Sequence, residues 1–146
     1  MAAYPKALYF ACPGLEWKRT DLAWSGVLGD QPHPIWADDI GQVYFSARRE
    51  NEVDFYLSRQ KVLLCADALL NISTLDAWSS RIAARLMKNS APGLGWMEPL
   101  MVRDRRLARR QVDRILAWDF DRIILAHGSM IDRDGPAVVR RAYDWL

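Results

Sequence analysis

Two side chains in this sequence stand where binding chemistry is commonly built. Asp67 closes the run KVLLCA (61–66), and His127 closes RIILA (122–126). Each run is apolar enough to read as a buried strand. Each polar residue is followed by a small or turn-forming one, Ala68 and Gly128. A strand that ends on a single polar side chain presents it at a sheet edge, where binding sites are often formed. A carboxylate can bridge two cations, and a neutral imidazole is a favourable ligand for zinc or iron. Each residue also has a purely structural reading. Asp67 could cap a following helical turn, and His127 could be a core-edge histidine bonded to backbone. Sixty residues separate the two, so spacing alone leaves both readings open.

The elements that would position them can be read along the chain. Tyr4-Pro5 starts an extended segment, because the residue before proline is pushed out of the helical region. Ala7–Cys12 reads as a short buried strand stopped by Pro13-Gly14. Leu15–Ala23 has room for a turn of helix. Trp24–Trp36 carries two glycines and two prolines and reads as a surface connection with apolar anchors. His33 lies between two prolines there and reads as a loop histidine, with no other ligand type beside it. Ile40–Ala47, Val53–Leu57 and Lys61–Ala66 are β-branched and aromatic-rich and are joined by short polar links. They predict three consecutive antiparallel strands.

Helical signals follow. Ser73 with Asp76 resembles a capping box, and Leu75, Trp78, Ile82 and Leu86 repeat as one apolar stripe. Residues 89–99 hold two prolines and two glycines and read as a loop. Asp104 caps a second helix running to about Ala117, with Ala108, Val112, Ile115 and Leu116 inward. After the strand 122–126 comes a loop from Gly128 to Gly135. Pro136 suits the first position of a last helix, packed through Val138, Val139, Ala142, Trp145 and Leu146. The expected class is a mixed α/β (α+β) layout, helices packed on a largely antiparallel sheet, in a single domain over 1–146.

Bulk composition narrows the function. Of 146 residues, 51% are hydrophobic and 26% charged, a globular balance with enough chain for one core. A net charge of +2 gives no general pull toward nucleic acid or anionic lipid. The arginine-rich stretch 103–114 places Arg106, Arg109, Arg110 and Asp113 opposite the apolar face, as a solvated helix surface does, so nucleic acid is not the expected partner. Cys12 and Cys65 each lie in an apolar stretch and read as buried free thiols. The opening residues lack the pattern of a secretory signal, and no apolar run is long enough to span a membrane. A cytoplasmic protein is expected. Seven tryptophans imply an aromatic core, or surface that a partner covers.

Three blocks carry a resemblance: AAYPKALYFACPGLEWKRTDLAWSGVLGD (2–30), VLLCADALLNI (62–72) and WDFDRIILAHGSMIDRDGPAVVRRAYDWL (118–146). Together they resemble the middle and later parts of a metallo-β-lactamase-like family of unknown function. The resemblance implies a four-layer αββα sandwich with metals at the sheet edges and a metal-dependent, hydrolase-like activity. It places Asp67 at the family's bridging aspartate and His127 at its last histidine, in a strand-then-HG motif. Zinc or iron is the implied metal.

The sequence departs from that pattern. The family's HxHxDH cluster has no counterpart, and the chain holds only two histidines. Where another ligand histidine belongs, the sequence reads ARRENEV (47–53). A zinc centre needs about four ligands, three of them protein groups when catalytic. An N-terminally incomplete domain with an incomplete metal site is therefore expected. So is an uncovered sheet face or edge that favours self-association or another partner. The alternative to a hydrolase-like protein is a non-enzymatic fold remnant or interaction module.

Overall fold

The computed structural model describes residues 4–72, 78, 82, 92, 93 and 98–146. The sheet that carries the molecule has four strands: β3 (Ile40–Tyr44), β4 (Val53–Leu57), β5 (Val62–Cys65) and β6 (Arg122–Leu125), hydrogen-bonded in that order. The first three form the expected antiparallel meander, with Gln42 opposite Phe55 and Phe55 opposite Leu64. β6 adds parallel to β5, Leu63 opposite Ile123 and Cys65 opposite Leu125. A smaller parallel pair precedes them, β1 (Phe10–Ala11) with β2 (Gly26–Val27). The strand expected over Ala7–Cys12 is thus shorter. Its partner lies in the stretch read as a plain connection, where Ser25 and Leu28 bond back to Tyr9 and Ala11. Between them α1 (Leu15–Lys18) supplies the single turn of helix.

Helices cover one face of the sheet. After a short turn, α2 (Glu98–Met101), comes α3 (Arg105–Leu116). Asp104 caps α3 by accepting from the Leu107 amide at 2.9 Å. Pro99 therefore sits inside a helical turn and not at the end of a loop. Ala108, Val112 and Ile115 of α3 and Val138 and Val139 of α4 (Gly135–Ala142) pack on Val43, Leu63 and Ile123. Arg106, Arg110 and Asp113 face solvent, and Asp113 pairs with Arg109. Of the stripe expected after Ser73, Trp78 and Ile82 are helical but 74% and 49% exposed, so they face away from the core. The Ser73–Asp76 box, Leu75, Leu86 and most of residues 89–97 lie outside the described residues.

The other face of the sheet is less well covered. Along β4 and β5, Val53, Phe55, Leu57 and Leu64 are only half-buried, and Ile124 of β6 is 41% exposed. Phe55, Leu64 and Ile124 stand in one cross-strand row. Among the described residues, no helix is long and apolar enough to cross a membrane.

One polar side chain joins helix to sheet. Gln111 is buried among the apolar residues of α3. Its Oε1 accepts from the Ala47 amide at 3.2 Å, and its Nε2 donates to Tyr44 O at 2.8 Å and Ser46 Oγ at 3.0 Å. It closes the end of β3 where the ladder stops. Gln111→Leu should lower unfolding stability by about 1–3 kcal/mol, because it leaves the buried Ala47 amide without its acceptor. Urea denaturation measures this, and a loss below about 0.5 kcal/mol would show that the tie is dispensable.

Candidate functional site

Because β5 and β6 are parallel, their C-terminal ends leave the sheet side by side. Asp67 and His127 follow those ends by two residues each. His127 Nε2 lies 3.1 Å from Asp67 Oδ1, with the two side chains 59% and 50% exposed. Asp67 is in a bend with no helix directly behind it, so it is not a helix cap. The His127 ring faces the carboxylate, while the His127 carbonyl accepts from the Asn71 amide at 3.2 Å. The two residues singled out in the sequence are therefore in contact.

Asn71 fixes the histidine side of this pair. Its Nδ2 donates to Ser129 O at 2.7 Å, and its carbonyl accepts from the Ser129 amide at 2.8 Å. Gly128 makes the close approach possible. Its φ is +95°, and a Cβ there would overlap the Asn71 carbonyl. Glu52 fixes the aspartate side. Its Oε1 accepts from the Ala66 amide at 2.6 Å, and its Oε2 accepts from Arg48 at 3.3 Å. Sequence reasoning treated Arg48 and Glu52 as a polar link. Both are buried, and they tie the β3–β4 turn to the residue before Asp67.

Asp54 is the most unusual group near this end of the sheet. It is fully buried, opposite Val43 and on the helix-covered face. No hydrogen bond of ordinary geometry reaches either carboxyl oxygen. Burial first, then the charge and proximity of Glu52, push its carboxyl well above the usual range, with Arg48 pulling the other way. The thiol of Cys65 is pushed up by burial and by Asp54 and Glu52, and that of Cys12 by burial and by Glu52. Both cysteines are free, and neither environment favours a thiolate.

The pair can be tested against a metal by geometry and by number. Two ligands about 2.0–2.2 Å from one tetrahedral ion stand ~3.3–3.6 Å apart, somewhat more than the observed 3.1 Å. The number falls short: among the described residues, no group of three or more His, Cys, Asp or Glu is placed to hold an ion. Asp67 and His127 alone do not make a complete centre.

No protein-family model matches the chain, and no curated protein matches it in sequence. Two crystal structures of DIM-1 metallo-β-lactamase do resemble it in fold, one of them of protein exposed to ceftazidime. Their TM-scores are 0.55 and 0.54, at 15% identity over 94% of this chain. The chain spans 58% and 57% of the length of those two chains. The fold is metallo-β-lactamase-like, an α/β arrangement of a largely antiparallel sheet with helices packed on it.

The state of Asp54 has a measurable consequence. Its folded carboxyl holds a proton to higher pH than the unfolded one, which titrates near 3.9. Stability is therefore full below that value and falls as pH rises toward the folded pKa, by up to ~1.4 kcal/mol per pH unit. Asp54→Asn keeps the shape without the charge. It should be more stable than the parent at pH 8, with the advantage gone near pH 4. Thermal melts across this range are the check, and a difference independent of pH would show that Asp54 is ordinarily ionised.

Proposed function

We propose that this chain is a metallo-β-lactamase-like, hydrolase-like domain to which Asp67 and His127 contribute two metal-ligand positions. The remaining ligands come from outside the described residues, on a further segment or a partner. The observation that carries this reading is the 3.1 Å approach of Nε2 to Oδ1 at the ends of two parallel strands. Zinc or iron is the metal that an imidazole and a carboxylate suit. The two free cysteines fit a cytoplasmic setting.

With two protein ligands the site should bind zinc weakly, with Kd on the order of micromolar or above. Zinc should raise the melting temperature of the chain, and Asp67→Ala or His127→Ala should weaken binding about tenfold or more. Calorimetric titration and elemental analysis read this out. Undiminished uptake by the double variant, or no uptake by the parent, would sink the metal reading.

A second reading is a non-enzymatic interaction module. It is supported by the half-open row Phe55, Leu64 and Ile124, which a second apolar layer would bury. Light scattering after size exclusion should then show self-association that rises with concentration and is reduced by Ile124→Lys. A compact monomer at every concentration would count against it.

A further inference from the structure

The helix layer gathers its charge at one end. α3 and α4 run antiparallel: the Gly135 amide that opens α4 donates to Asp121 O, just past the end of α3. At the other end Arg105, in the first turn of α3, lies 5.4 Å over the ring of Trp145, just past the end of α4. Arg105 and Arg106 therefore stand at the same end of the pair as Arg140 and Arg141, with Arg110 one turn along. Tyr143 Oη donates to Ala68 O at 2.8 Å, so this end lies over the sheet edge that carries Asp67 and His127. Residues 103–110 and 139–146 hold seven arginines against two acids, Asp104 and Asp144, in a chain whose net charge is only +2. Asp104 is already engaged by the Leu107 amide. Stability does not account for these cations. Arg105 and Arg106 oppose the helix dipole in a first turn that has no acidic residue. Arg106, Arg110, Arg140 and Arg141 are exposed, and none has a carboxylate partner among the described residues.

We propose that this end of the helix layer binds double-stranded nucleic acid through its phosphates, without reading sequence. Every cation in these two stretches is arginine, whose planar fork takes a phosphate through two parallel N–H donors. By itself α3 presents an ordinary solvated face. α4 adds a second set of arginines roughly 8–10 Å away, the usual spacing of packed helices. A duplex suits this surface better than a single strand, which is held by stacking on exposed rings. Arg105 covers Trp145, and among the described residues no exposed large apolar side chain lies on α3 or α4. For the same reason the surface lacks the apolar anchors by which a helix lies in a membrane. Binding here requires no metal at Asp67 and His127.

The test is fluorescence anisotropy of a labelled random-sequence DNA duplex titrated with the intact chain in EDTA, which keeps the result independent of any metal. Kd should be on the order of 10 μM, and log K should fall with log salt at a slope of about −3 to −4, as for about four phosphates. Arg106→Gln with Arg140→Gln should weaken binding about tenfold and take about 2 off the slope. The melting temperature should not fall, since neither side chain has a partner to lose. Arg122→Gln with Arg133→Gln removes the same charge at the opposite sheet edge, where Arg122 opens β6 and Asp134 bonds to Asp121. That variant should bind within about twofold of the parent. Equal losses in the two double variants would overturn the proposal. So would a slope near zero, no saturable binding, or binding as tight to the single strand or to phosphatidylserine–phosphatidylcholine vesicles as to the duplex.

Discussion

The parallel pairing of β5 with β6 is the constraint from which the rest of the arrangement follows. Antiparallel neighbours place successive strand ends on opposite edges, whereas parallel neighbours place them on the same edge. Only this pairing in the four-stranded sheet brings two strand C-termini together, and those termini lead to Asp67 and His127. A parallel pair requires the chain to cross over the sheet. Here α3 lies in that crossover and seals Val43, Leu63 and Ile123 from water. The apolar stripe of α3 is thus part of what holds the two polar residues in contact, although none of it touches them.

The interior is not uniformly apolar. Arg48, Glu52, Asp54 and Gln111 are buried in and around it. Gln111 is satisfied by backbone groups that the end of β3 leaves open, and Glu52 by an amide beyond the end of β5. Polar side chains in these places fix where strands stop, which hydrophobic packing cannot do because it has no direction. Asp54 is different, since it lies in the core without an ordinary bond, and burial pushes its carboxyl well above the usual range.

Much of the sheet was legible because its strands carry their own signals. The alternation over Val53–Leu57 and the runs before Asp67 and His127 gave their strands to within a residue or two of those observed. Asp104 and the 3.6-residue stripe did the same for α3. What was hidden depended on partners distant in sequence. The two-residue strand Gly26–Val27 has no pattern of its own and exists through Phe10 and Ala11. ARRENE looks like a solvated turn because charge usually means exposure, but Arg48 and Glu52 neutralise one another inside. Asp67 and His127 could be named individually. Their contact could not, since it rests on the register of two strands sixty residues apart.

That separation bears on when the pair comes into being as the chain folds. The β3–β4–β5 meander can form from near neighbours, but β6 joins only after a loop of some sixty residues closes. Such a closure costs about 3–4 kcal/mol of chain entropy before any contact is made, and long-range pairings of this kind are slow to form. The meander and its polar tie at Glu52 can therefore precede the edge strand that delivers His127. The contact between histidine and aspartate should then form late in folding, and local opening of β6 would separate it while the first three strands stay paired.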